Sequence, residues 1–286
     1  MIAQPAADAE GPKAARDTPA VLLDKVSFAF DDHVVLRDVS FSVPKGSMRI
    51  LLGASGAGKS VVLKLILGLF RPDSGAIFVN GERIDRMSEH DLMRIRGDIG
   101  MLFQETALFD SLTVAENVGY RLEEETGMPA DQVESRVTEV LGFIGLGEYP
   151  GRMPSELSGG QRRRVAIARA MASRPNLLLF DDPTTGLDPV IANTVNDEVV
   201  KLRDLEHVTS IVVTHQIRDA FYVTRHEAAR SNGHLAILET NGPEDERARF
   251  MVLHEGRIYF EGSGTELLAS RDAYLKEFLF MTLPPW

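Results

Sequence analysis

Cysteine is absent from this 286-residue chain, so disulfides and thiolate chemistry are excluded, and a reducing compartment suits it. Long apolar runs are also missing: no window approaches the roughly 20 residues that cross a bilayer. Residues 1–19 are rich in Ala, Pro and Asp and lack the apolar centre of a secretory leader, so they read as a disordered tail. These absences predict a cytoplasmic protein that reaches a membrane only through a partner. Positive charge is short as well, with 31 Lys and Arg against 42 Asp and Glu and a net charge of −11. A nucleic-acid partner needs a basic footprint and is not expected. Hydrophobic residues at 44% and charged residues at 26% are ordinary for a globular protein, and the length allows a full core. No internal repeat is visible.

What the chain does have is a glycine-rich stretch, Gly53-Ala54-Ser55-Gly56-Ala57-Gly58-Lys59-Ser60, between apolar segments at 48–52 and 61–70. Strand, loop and helix in that order are the context the G-x-x-x-x-G-K-[ST] pattern requires. The glycines let backbone N–H groups curl round a phosphate, and the helix start adds its dipole and unpaired donors. The pattern assigns Lys59 to the β- and γ-phosphates of a nucleoside triphosphate and the Ser60 hydroxyl to a magnesium ion.

The rest of the chain reads as strands and helices in alternation. Residues 21–43 form a hairpin-like start, in which Phe30 is either core or an adenine-stacking residue. A strand at 76–79 precedes the Asn80-Gly81 turn, a short amphipathic helix follows at 89–96, and a strand at 99–103 ends at Gln104. Helical periodicity with acidic decoration marks 105–157 as a mostly helical insertion. Residues 159–173 form a strong helix whose Arg162-Arg163-Arg164 run reads as a solvated face. An apolar strand at 177–180 is followed by Asp181-Asp182, a helix spans 190–205, and a strand at 210–213 ends at Thr214-His215. This alternation predicts an α/β fold with a parallel sheet and a site at the strand C-terminal ends. Residues 226–249 are polar, with turns at Asn232-Gly233 and Asn241-Gly242-Pro243, and 235–238 is expected to pair with 250–253 as a hairpin. A final amphipathic helix at 266–279 and a frayed end at 284–286 complete the chain.

Asp181 closes an apolar strand, where a carboxylate suits magnesium, and Asp182 is placed to polarise an attacking water. Leu157-Ser158-Gly159-Gly160-Gln161 then resembles the signature motif of ATP-binding-cassette (ABC) ATPases. Gln104 resembles the Q-loop glutamine, Gly186-Leu187-Asp188 the D-loop, His215 the switch histidine, and Phe30 the aromatic A-loop position. The resemblance covers about 20–265 and implies a P-loop NTPase fold of the ABC type. That fold is a RecA-like parallel-sheet core with an antiparallel β subdomain and a helical subdomain inserted at about 105–157. Residues 266–286 would follow it as a C-terminal helix and tail. The resemblance also implies ATP and Mg2+ as cofactors, with Ser60, Gln104 and Asp181 on the metal and Asp182, His215 and Gln104 in catalysis. It implies a head-to-tail homodimer in which each ATP lies between one phosphate loop and the partner's signature loop. Ser158 reads as the cap of the following helix, so that loop offers a second helix N-terminus to a polyphosphate.

Two residues depart from the family's pattern. Asp182 stands where most members have Glu, one methylene longer, which leaves a slow ATPase or an ATP-gated clamp that barely turns over. Val61 stands where a hydroxyl residue is usual; its backbone N–H still suits the α-phosphate. The run 101–114, with Glu116-Asn117-Val118 and Met153-Pro154-Ser155-Glu156-Leu157, resembles the ATPases of MCE/Mla-type phospholipid transporters. In that group the ATPase dimer sits under an integral membrane permease, at the cytoplasmic face of the inner membrane, with an MCE-type lipid-binding protein in the wider complex. The permease would dock near residues 87–96 and 108–120. The ATPase of a small-solute importer and a soluble, non-transport ABC ATPase are the alternatives.

Overall fold

Two β-branched and aromatic runs broken at Asp31-Asp32 fold back on each other as β1 (Val21–Phe30) and β2 (His33–Val43). Their register runs from Val21 opposite Val43 to Phe30 opposite His33. β3 (Met48–Leu52), buried at every residue, leads through the glycine-rich loop into α1 (Lys59–Ile66). β4 (Ser74–Val79) and β5 (Glu82–Arg83) join across Asn80-Gly81 and complete a four-stranded antiparallel sheet in the order β2-β1-β4-β5. α2 (Glu89–Gly97) starts at Ser88, whose hydroxyl accepts from the Asp91 N–H, and feeds β6 (Ile99–Leu102).

Beyond β6 the chain leaves the sheet. α3 (Val114–Thr126) opens on a capping box between Thr113 and Glu116. It packs on α4 (Ala130–Phe143), and a 3₁₀ turn at Pro154–Glu156 leads into α5 (Gly159–Met171). Strand and helix then alternate through β7 (Leu177–Asp181), α6 (Pro189–Leu205), β8 (Thr209–Thr214) and α7 (Ile217–Arg225). β9 (His226–Ser231) and β10 (His234–Glu239) form a ribbon, β11 (Ala248–His254) and β12 (Arg257–Gly262) return to the main sheet, and α8 (Gly264–Ala269) and α9 (Ala273–Thr282) close the chain. The computed structural model describes residues 18–231, 234–240 and 248–282. The expected tail up to residue 17, the turns at Asn232-Gly233 and Asn241-Gly242-Pro243, and the end at 284–286 lie outside them. Among the described residues no helix is long and apolar enough to cross a membrane.

The main sheet has the order β12-β11-β3-β8-β7-β6, parallel throughout except where β12 meets β11. Alternation of side chains divides it between two cores. Ile50, Leu52, Phe180 and Phe250 face the layer built by α3 to α7, while Leu51, Leu179, Val213 and Met251 face α1 and the antiparallel sheet. Burial on both faces is why these strands read as unbroken apolar runs. The order also sets β3, β8 and β7 side by side, so the loops leaving them share one edge of the sheet.

Three expectations are corrected here. The run 235–238 does not pair with 250–253: β10 pairs with β9, and β11 lies between β12 and β3. An apolar run such as Phe250 to Leu253 suits the middle of a parallel sheet, and β3 outcompetes a local hairpin for it. The C-terminal helix is two helices, because Ser270 is extended and the Asp272 carboxylate accepts from the Leu275 N–H to start α9 afresh. The arginine run of α5 is not a solvated face. Arg163 is buried, Arg162 donates to the Leu157 carbonyl and Arg164 to that of Ile144.

Candidate functional site

The glycine-rich loop leaves β3 under a tight constraint. A Cβ on Gly53 would lie 2.7 Å from the Leu253 carbonyl oxygen of β11, so only glycine lets the loop pass the neighbouring strand. Ala54, Ser55 and Gly56 are exposed, Ala57 is half-buried, and Gly58 caps α1 without any side-chain bond. No acidic residue occupies the first turn of α1, so its unpaired N–H groups are open to an anion. Lys59 is buried and donates to the carbonyls of Gly53 and Ala54, each at 2.9 Å. Burial holds its ammonium below the usual lysine range, against the opposing charges of Asp182 and Asp181. Val61 of α1 is half-buried against the core that α1 shares with the antiparallel sheet.

Ser60 donates its hydroxyl to Asp181 Oδ1 at 2.8 Å, which ties α1 to the end of β7. Burial pushes the Asp181 carboxyl up; the Ser60 bond opposes this and the charge of Asp182 adds to it. A hydroxyl and a carboxylate are the hard oxygen donors that Mg2+ takes, a few at a time, together with phosphate oxygens. Among the described residues no group of three or more His, Asp or Glu could hold a metal unaided. The donor set therefore fits a magnesium ion that shares its shell with a polyphosphate.

Asp182 takes a positive φ of 45°, and its N–H donates to the Val213 carbonyl at 2.8 Å. Its Oδ1 accepts from the His215 N–H at 3.1 Å and lies 2.9 Å from His215 Nδ1. Both bonds fall on one oxygen, which leaves Oδ2 to meet a water. The His215 ring is exposed rather than part of the core. Beneath the pair, buried Thr184 donates to the Asp219 carboxylate of α7 and accepts from Gln216 Nε2 at 3.4 Å.

The other expected site residues stand apart from this cluster. Gln104 is exposed in the turn after β6 and has no hydrogen bond to Ser60 or Asp181. Ser158 and Gln161 form a capping box on α5: the Gln161 N–H donates to the Ser158 hydroxyl at 3.3 Å, and the Ser158 N–H donates to Gln161 Oε1 at 2.8 Å. Neither is bonded to the phosphate loop. Gly159 and Gly160 face the segment after β7 and α6; a Cβ on Gly160 would sit 2.3 Å from Ile191 Cγ2, so this glycine is needed for packing whatever else it binds. The Asp188 carboxylate caps α6 by accepting from the Val190 and Ile191 N–H groups. Phe30 is 47% exposed, and its ring plane stands nearly perpendicular to those of Phe28 and Phe70.

Three residues hold these parts in place in roles the sequence reading did not assign them. Arg163 donates to the carbonyls of Phe103 and Thr185; it shares a helix face with Ala166, Ile167 and Ala170, and that spacing marks it as inward. Asn117, fully buried, bonds the carbonyls of Phe109, Leu112 and Thr113 and accepts from the Phe109 N–H. Asp219 holds Thr184. The loop fixed by Asn117 borders an apolar groove of about 440 Å³ lined by Leu69, Met93, Phe103, Phe109 and Tyr120. Met93, Phe109 and Tyr120 belong to the segments expected to meet a permease, and all three are exposed.

Comparison with known proteins gives one family. The family described as ABC transporter matches residues 36–185. The chain is 32% identical to the intermembrane phospholipid transport system ATP-binding protein MlaF of Haemophilus influenzae, over 89% of its own length and 88% of that protein's. It is 40% identical to the sulfate/thiosulfate import ATP-binding protein CysA of Synechocystis over 77% of its own length, but spans only 61% of that protein. Among solved structures, the dimeric post-hydrolysis state of the ATP-binding cassette MJ0796, bound to ADP and Pi, matches with a TM-score of 0.69 and 28% identity. That match covers 85% of this chain and 98% of the cassette.

Proposed function

This chain belongs to the ABC transporter family, and on that premise we propose that it is the ATP-hydrolysing subunit of an MCE/Mla-type phospholipid transporter. When bound, Mg·ATP supplies the anhydride to be cleaved and a cation to offset its charge. Lys59, now held by two loop carbonyls, would exchange them for phosphate oxygens, and Ser60 and Asp181 would hold the metal. Gln104, exposed in the turn after β6, would contribute to the metal and to the attacking water once nucleotide is bound. Asp182 Oδ2 takes the proton of the water, and His215 holds the carboxylate in place through Oδ1. That pairing carries the reading of a competent ATPase over a clamp that barely turns over, because it fixes where the shorter side chain points. A general base so placed contributes roughly 10² to 10⁴ in rate. The Ser158-Gly159-Gly160-Gln161 helix start and Asp188 serve a nucleotide held by a second copy of the chain, and the exposed Phe30 is the stacking partner for the adenine.

The transport class rests on the likeness to MlaF, 32% identical over 89% of this chain, together with the run 101–114 that resembles the ATPases of MCE/Mla-type transporters. The groove at Leu69, Met93, Phe109 and Tyr120 is the surface for an integral membrane permease, which holds the subunit at the cytoplasmic face of the inner membrane. The higher identity to CysA favours a second reading, the ATPase of a small-solute importer. Detergent extraction of native membranes, capture of this chain and mass spectrometry of its partners separates them. A permease with an MCE-domain protein is expected; a permease with a solute-binding protein moves the assignment to import, and purely soluble partners overturn transport altogether.

A further inference from the structure

We infer that Arg163 is a positioning residue that binds the loop carrying Gln104, the turn following Asp182 and the signature helix into one moving unit. It lies in the second turn of α5 and is only 6% exposed. The two arms of its guanidinium part: Nη1 donates to the Phe103 carbonyl at 3.0 Å and Nη2 to the Thr185 carbonyl at 3.2 Å. Phe103 immediately precedes Gln104. Thr185 closes the turn that begins at Asp182, donating its N–H to the Asp182 carbonyl at 3.2 Å. One side chain of the helix that starts at Ser158 thus reaches segments on either side of the candidate site.

A buried guanidinium without a carboxylate at ion-pair distance is costly, and an apolar side chain would pack the same space at lower cost. Burial draws its pKa below the arginine range, and the charge of Asp182 only partly opposes this. The position therefore calls for the fork, which two carbonyls on different segments can share and a lysine cannot. Two turns along α5, Arg169 donates to the carbonyls of Thr106 at 2.9 Å and Ala107 at 2.6 Å. Both residues have positive φ, 37° and 49°, a backbone state that persists where the surroundings over-determine it. The segment 103–107 is consequently held at both ends by α5, and Arg163 extends that hold to the turn after Asp182.

The consequence for catalysis rests on the nucleotide reading above, but the bridge itself does not. Hydrogen exchange of the nucleotide-free chain tests the bridge. In Arg163→Met and Arg163→Lys, the amides of 104–107 and of 184–187 should exchange faster together, by about tenfold, with β3, β7 and β8 unchanged. If only one segment loosens, if Lys preserves wild-type exchange, or if protection falls across the whole sheet, Arg163 is not the bridge. Should Arg163→Met fail to fold, Arg163→Lys decides alone. Nucleotide measurements then test the consequence: the Kd for Mg·ATP should hold within about twofold while kcat falls about 10²-fold. Coupled loosening with an unchanged kcat would leave the bridge standing and contradict the catalytic reading.

Discussion

Ser60, Asp181, Asp182 and His215 come from three distant segments and meet in bonds to one another. Ser158, Gly159, Gly160 and Gln161 are contiguous, and the polar ones bond each other in a cap. Within the first group Asp181 and Asp182 are buried, and its bonds knit the sheet edge together, so its geometry exists before any ligand arrives. The second ends in a helix start at the surface, packed from behind by Ile191 and bonded to nothing in the first group. On the proposed function the first group would take the phosphate end of a nucleotide, and the second offers, elsewhere, a helix N-terminus suited to the same kind of anion. A finished half and an offered half are what a head-to-tail dimer requires of each subunit.

That comparison breaks most completely at Lys59. Lys59→Ala should remove Mg·ATP binding and reduce hydrolysis to background while the thermal transition survives, because the side chain bonds only loop carbonyls. Retained activity would sink the phosphate-loop assignment. His215→Ala should lower kcat by about 10² to 10⁴, since it frees the carboxylate proposed as base, with the Kd for nucleotide little changed. Ser158→Ala belongs to the offered half and should behave differently. Its loss of the cap costs about 1 kcal/mol of stability, readable in denaturant melts, while nucleotide still binds the monomer and only ATP-dependent dimerisation fails. The smallest effect is expected for Asp182→Glu, which should keep or raise kcat in the assembled transporter. A large loss there would show that the His215 pairing is built around the shorter side chain.

The sequence exposed the finished half well and the offered half in outline. The glycine-rich stretch carries its own context, an apolar strand before and a helix after, and the parallel strands announce themselves because burial on both faces erases alternation. Arg163 was misjudged by counting charges, although its spacing with Ala166, Ile167 and Ala170 lay in view. The capping role of Asp188 was hidden beneath its motif. The pairing of β9 with β10 and the break at Ser270 were not legible, because both are decided by competition. A sheet vacancy beside β3 claims the run that a hairpin would use, and the carboxylate of Asp272 starts a helix where periodicity alone would continue one.

The central claim, that each nucleotide is completed by two chains, is tested most directly by mixing two crippled subunits. Lys59→Ala and Ser158→Arg chains, labelled with a donor and an acceptor fluorophore, each lack one half of the site. Neither alone should associate when Mg·ATP is added. The mixture should give energy transfer, because one of the two composite sites in the mixed dimer pairs an intact phosphate loop with an intact signature loop. Equal transfer without nucleotide, or none in the mixture, would contradict the account.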